Sequence, residues 1–280
     1  MHRAFCGLFF LLSTSGWNTR AAEPGDYRFA QPVRVATASC THFEWVSDLP
    51  VCLETARLLE RSATGKFGLP ADRIESWTNG TSEEFLGWLK TVEDKGAPDA
   101  SLIFYFVTHQ QKDGSFRFSK GADLSPARFV EAVNHLARRY DRVVLVNDCC
   151  YGAVLEGGGK FYQNVIRVYA ASEEEQAFNL RFGKGPYGME EFLKEGRAYL
   201  KKRMSWDPPG MTFLGIVGLK AALEMSKDAG SPVDLQTFFR RLTTARDLYD
   251  TSVRQKNVQH IVLVPATANF EILVRQGRGS

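Results

Sequence analysis

Arg142–Gly152 reads RVVLVNDCCYG. Val143–Asn147 is a short apolar or strand-compatible run that ends abruptly in Asp-Cys-Cys-Tyr-Gly. A run of this kind, bounded by turn residues, predicts a strand buried in a parallel sheet. In open α/β sheets ligands bind outside the carboxyl ends of the strands. Cys149 and Cys150 therefore fall where a crevice forms, not where a core is filled. Upstream, Ser101–His109 (SLIFYFVTH) has the same form and ends in a histidine. One strand ending in His and another in Cys predict a Cys/His dyad mounted on a rigid sheet.

Cys150 lies 41 positions after His109, room for a hairpin and a crossover helix. A crossover between parallel strands is right-handed and returns both carboxyl ends to one side. A thiol attacks as thiolate and needs a base or cation beside it to lower its pKa. Cys150 is thus the candidate nucleophile and His109 the candidate base.

Working outward, Val33–Ala38 is β-branched and alternating and reads as the first strand, followed by a loop from Cys40 through His42 and Glu44. Leu53, Ala56, Leu58 and Leu59 give helical spacing over Leu49–Ser62, with Gly65, Gly68 and Pro70 as breakers. Arg73–Trp77 predicts a short strand, and Thr81 with Glu84 forms a capping box for the helix after it. Gln110–Lys120 carries an Asp-Gly turn and predicts a hairpin. Ser125-Pro126 opens a helix faced by Phe129, Val130, Val133 and Leu136. Val154–Gly159 reads as a mobile glycine-rich loop and Asn164–Ala171 as a strand. Helices over Met189–Lys202, Thr212–Lys227 and Asp234–Tyr249 follow, then strands over Ile261–Pro265 and Asn269–Val274. Strands alternating with helices predict an α/β fold, a mostly parallel sheet of about six strands with helices on both faces. No linker, repeat or low-complexity tract divides it.

Composition sets the outer limits. The 280 residues are 44% apolar and 24% charged, ordinary for a globular chain. The formal charge of +3 is scattered, and no basic run interleaves with aromatics, so nucleic acid is not indicated as a partner. Ala4–Leu12 (AFCGLFFLL) lies between Arg3 and the small residues Thr19 and Ala21, the form of a secretory signal peptide cleaved after Ala21. The expected organisation is a signal over residues 1–21, a linker over 22–31 and one domain over 32–280. The mature chain is expected in an exported location, with no segment apolar enough to span a membrane. Four cysteines would remain after cleavage, too few for a disulfide scaffold, though an oxidising compartment allows Cys40 and Cys52 to pair. No ligand set has metal spacing, and no cofactor motif occurs.

The strand ending in His109 and the strand ending in Asp148-Cys149-Cys150-Tyr151-Gly152 resemble the caspase-like (clan CD) cysteine peptidases, which include caspases, metacaspases, legumains and gingipain-type enzymes. The order of elements from Pro32 to Val274 is similar as well. The resemblance implies a three-layer α/β/α sandwich and a peptidase acting on a protein or peptide. The family pattern is an acid or Gln, a small residue, the nucleophile, then a nearby Gly, which sets Cys150 as nucleophile and Cys149 as the small residue. It implies an oxyanion hole built from the backbone N–H groups of Cys150 and Gln110, the residue after the histidine. The family has glycine there, so here a side chain stands beside that amide and the backbone must avoid positive φ.

Asp148 occupies the position that in metacaspases recognises Arg or Lys before the scissile bond. Cys52 resembles a metacaspase helix start, with Thr55 where that family has Asp, and Ser172 follows the next strand at the pocket wall. Glu173–Glu175 reads as a solvated acidic run. The alternatives to hydrolysis are a caspase-like domain that binds a partner without turnover and a transpeptidase that uses the same acyl-enzyme.

Overall fold

Fully buried, β-branched and aromatic runs become the centre of a six-stranded sheet. Its strands are β2 (Val33–Ser39), β3 (Ile74–Thr78), β4 (Ser101–Val107), β7 (Arg142–Asn147), β8 (Val165–Tyr169) and β12 (Val262–Val264), in the spatial order β12-β8-β7-β4-β2-β3. All pairs are parallel except β12 on β8. The structure, a computed structural model, describes residues 27–29, 31–177, 179–181, 194, 197–198, 200–202, 204–212, 214–215, 233–237, 239–244, 259–266, 268 and 271–275.

Three helices within 50–139 cover the sheet. Helix α1 (Pro50–Phe67) runs past Gly65 and stops at Gly68, whose φ of 60° gives the left-handed C-cap. Helix α2 (Ser82–Asp94) opens on Thr81, where both halves of the capping box form. Helix α3 (Pro126–Arg139) is capped by the Ser125 side chain. The period of two along β4 sends Leu102, Phe104 and Phe106 into one core with α2 and α3. Phe85 of α2 stacks there on Phe104, Phe106 and Phe129, with Trp77 edge-on to it. Ile103, Tyr105 and Val107 point to the opposite face, where α1 lies. The result is the expected three-layer sandwich.

The smaller elements depart from the sequence reading. The linker segment contains a strand, β1 (Tyr27–Phe29), antiparallel to β13 (Glu271–Arg275); β11 (Val233–Asp234) completes this second sheet. The late strand expected near 269–274 thus leaves the main sheet. β5 (His109–Gln110) and β6 (Phe116–Arg117) form the expected hairpin, with Gly114 at φ 84° in its turn. The glycine-rich segment is a 3-10 helix over Gly152–Gly157 that buries Leu155, not a mobile loop. Thr212, expected to begin a helix, ends β10 (Gly210–Thr212), which pairs with β9 (Asn179–Arg181). The four cysteines from Cys40 on are free, so the Cys40–Cys52 pairing is not formed. Residues 1–21, and most of the helices expected over Met189–Lys202 and Thr212–Lys227, lie outside the described residues.

Candidate active site

β4 and β7 lie side by side, with Phe106 opposite Asn147. The register continues past the strand ends: Asp148 N–H bonds Phe106 O at 2.9 Å, and Thr108 N–H bonds Cys149 Sγ at 3.2 Å. His109 then leaves the sheet as the first residue of β5, and Cys150 begins the turn after β7, so both follow the carboxyl ends of neighbouring parallel strands. A parallel ladder has this consequence for any two neighbouring strands that end together.

The two cysteines face opposite ways. Cys149 is buried in the core beneath α2 and α3, and burial pushes its thiol well above the ordinary value. Cys150 is only partly buried, its Sγ 3.9 Å from Ala177 O. Burial raises its thiol too, opposed by bonds from the backbone. The next residue, Tyr151, takes the left-handed conformation at φ 52° and donates its N–H to Glu175 O at 2.6 Å. The turn is therefore made at Tyr151. Gly152 serves close packing instead: a Cβ there would lie 3.3 Å from Tyr169 Cβ and 3.4 Å from Asn147 Nδ2.

His109 is positioned from outside the sheet. Its Nε2 lies 2.8 Å from Ser47 O, and its ring meets Phe43 with centroids 4.7 Å apart. A carbonyl only accepts, so Nε2 is the nitrogen that donates, and Nδ1 is the one left to act as a base. Both contacts come from the loop after β2, which also holds Trp45 at 81% exposure.

Gln110 does not crowd its own amide. Its side chain is buried, accepts from Asn147 Nδ2 at 3.1 Å, and lies 3.4 Å from Gly114 O. Its φ is not positive, so no glycine is required. Gln111 N–H bonds Ser115 O across the hairpin at 2.9 Å. The antiparallel alternation then turns the Gln110 N–H away from β6, free of that ladder.

Asp148 is buried on the α1 face of the sheet. Its Oδ2 accepts from Tyr105 OH at 2.8 Å and from Thr212 Oγ1 at 2.6 Å. Thr212 in turn is fastened to α1, its N–H on Thr55 Oγ1 at 3.1 Å. Burial raises Asp148 to about 6 despite those two bonds. Oδ1 is buried and has no hydrogen-bond partner among the described residues. A buried acceptor left open favours an added donor.

Cys52, on α1, is close enough to Tyr105 and Cys149 to act on both electrostatically. The Ser172 N–H donates to Glu175 Oε2 at 3.2 Å. Glu175 also accepts from the His260 N–H at 2.7 Å and pairs with the His260 ring. It is thus a structural clasp and not part of a solvated acidic run. Sequence reasoning missed Tyr105, Thr212, Asn147 and Ser47. For Tyr105 alone a signal existed, a phenol inside an otherwise apolar strand. Among the described residues no cluster has the composition of a metal site, and no helix is long and apolar enough to cross a membrane.

No protein-family model matches the chain, and no curated protein does. Among solved structures it is similar to the crystal structure of caspase-1 from Spodoptera frugiperda, with a TM-score of 0.52 and 13% identity over 89% of this chain and 93% of that one. A structure of pro-sf-caspase-1 matches with a TM-score of 0.49 and 13% identity over 84% and 92%. The first of these likenesses, together with the strand order, makes the fold caspase-like.

Proposed function

We propose that this caspase-like chain is a cysteine peptidase that uses Cys150 and His109. The observation that carries the reading is the parallel β4–β7 pair, whose carboxyl ends lead into His109 and Cys150 on one side of the sheet. In the first step His109 Nδ1 takes the Cys150 proton and Sγ bonds the peptide carbonyl carbon. The carbonyl oxygen becomes an oxyanion held by the N–H groups of Cys150 and Gln110; such donors are worth about 2.7–4 kcal/mol each. The C–N bond then breaks, and the imidazolium returns its proton to the leaving amine. Water, deprotonated by the same ring, releases the acid and restores the thiol.

Asp148 is the specificity residue in this proposal. Its unpartnered Oδ1 suits an arginine or lysine side chain, which would bring both a donor and a compensating charge. Cys52, Thr55 and Thr212 wall the α1 side of the pocket, and Ser172 the opposite side. The proposal also includes export through residues 1–21; N-terminal sequencing of mature protein checks it, and a retained Met1 overturns it.

The experiment is mass spectrometry after incubation with peptidyl chloromethyl ketones ending in Arg or in Asp. The expected result is a single adduct on Cys150, formed faster by the Arg reagent. No adduct, or one on Cys149, overturns the nucleophile; a faster Asp reagent overturns the pocket. One observation favours a second reading, a binding domain without turnover: burial raises the Cys150 thiol and Ala177 O lies against it. Slow iodoacetamide labelling of Cys150 at neutral pH, no faster than a free model thiol, supports that reading.

A further inference from the structure

The loop between β2 and α1 supplies both contacts to the His109 ring, yet none of its residues 40–49 lies in a helix or strand. Something must hold Ser47 O and the Phe43 ring in place. The ends of the loop are tied first. Asn79, at φ 53°, uses Oδ1 to accept from Thr41 N–H at 2.7 Å and His42 N–H at 3.1 Å. Leu49 N–H closes onto Thr41 O at 2.8 Å, and Glu44 N–H onto Ser119 O at 3.1 Å.

Between these ties a single side chain reaches across the loop. Asp48 Oδ1 accepts from the Phe43 N–H at 3.1 Å, and Oδ2 lies 2.9 Å from His42 Nδ1. These bonds hold Asp48 below the usual carboxylate range, the His42 bond foremost. Asp48 follows Ser47 directly and fastens Phe43 directly. It therefore joins the two groups that touch the imidazole, one on the ring nitrogen and one on the ring face.

We propose that Asp48 is a positioning residue for His109. It acts through Ser47 and Phe43 to fix which ring nitrogen is protonated and which way the other faces. Both members of the His42–Asp48 pair are about half exposed or more, so the pair adds little to folding stability. Its effect is on the order of the loop, which separates positioning from support of the fold. The role rests on the Cys150/His109 reading only for its chemical consequence, because the tautomer of His109 is observable without turnover.

The test uses the full chain labelled with ¹⁵N-histidine, with long-range ¹H–¹⁵N correlations above pH 7.5 assigned by comparison with His109→Gln. The wild type should show a protonated Nε2 and a bare Nδ1. Asp48→Ala should shift both nitrogens toward the averaged values of a free imidazole. Asp48→Asn, which keeps an oxygen for the Phe43 N–H, should return them toward wild type. Iodoacetamide labelling of Cys150 should slow about tenfold in Asp48→Ala and recover in Asp48→Asn, the scale expected when a catalytic group loses its orientation. A wild-type His109 spectrum in Asp48→Ala overturns the proposal, as does an Asp48→Asn spectrum no better than that of Asp48→Ala. A shifted spectrum with unchanged labelling upholds the positioning and removes the Cys150/His109 dyad. Asp48→Ser serves as a second truncation, read in the same way should Asp48→Ala fail to fold.

Discussion

Thr212 Oγ1 donates to Asp148 Oδ2 at 2.6 Å, joining residues 64 positions apart across the α1 face of the sheet. With Tyr105 OH on the same oxygen, one side of the carboxylate is satisfied and the other is bare. The site therefore holds a charge that the fold would prefer neutral.

That preference has a sign. Asp148 is raised from 3.8 to about 6 in the folded chain. A raised carboxylate contributes its full stability below the unfolded value and loses it as pH climbs through the folded one. Asp148→Asn, which stays neutral, should therefore be the more stable protein at pH 8. The gain should be about 3 kcal/mol at most and vanish toward pH 4. Urea unfolding at pH 4, 6 and 8 measures it. The same variant should lose cleavage after Arg or Lys. A variant less stable than wild type at pH 8 would show that the carboxylate is ionised and compensated in the free protein.

The adjacent cysteines should separate cleanly. Cys150→Ala should fold normally and lose all turnover. Cys149→Ala should keep most turnover but lose about 1–3 kcal/mol, because the Thr108 N–H gives up its buried sulfur acceptor. Thermal melts alongside peptide cleavage distinguish the two; abolished turnover in a folded Cys149→Ala moves the nucleophile by one residue.

Gln110→Ala removes the oxygen that accepts from Asn147 Nδ2 inside the core. The cost should be about 1–3 kcal/mol, the range for a buried donor left without a partner. Turnover well below the melting temperature should also fall several-fold, because the Gln110 amide loses its anchor. Stability equal to wild type would mean that the side chain is not the anchor of that amide.

Phe85→Ala is the control for the fold. Phe85 is fully buried against rings from β4 and α3. Truncation should cost about 3–5 kcal/mol. Denaturant titration reads it, and a loss under about 1 kcal/mol would mean that the aromatic core repacks freely.

The parts of this fold legible in the sequence are those encoded locally. β4 and β7 announce themselves as unbroken apolar runs, and Thr81 and Ser125 as caps, because a cap needs only the residues beside it. Around Asp148 the sequence points to Cys52, Thr55 and Ser172 but not to Tyr105 or Thr212, whose approach to the carboxylate depends on distant chain. Thr212 sits in a three-residue strand, too short to show a period. Ser47 acts through its carbonyl, which every residue possesses and no side chain advertises. Tyr151 takes a left-handed conformation that glycine favours, and nothing in a tyrosine side chain announces it. β1 and β11 exist through pairing with β13, and that partner lies far away in sequence.

Trp45 stands 81% exposed on the loop that holds His109, while Trp77 is partly buried and packs against Phe85 and Phe118 at the edge of the core. Of the five tryptophans in the sequence, these two sit in contrasting optical environments, one in water at the rim and one against a cluster of hydrocarbon rings. Iodide, which does not penetrate a packed interior, should quench the first and spare the second. The difference in emission between wild type and Trp45→Phe then isolates the rim's share, without a label.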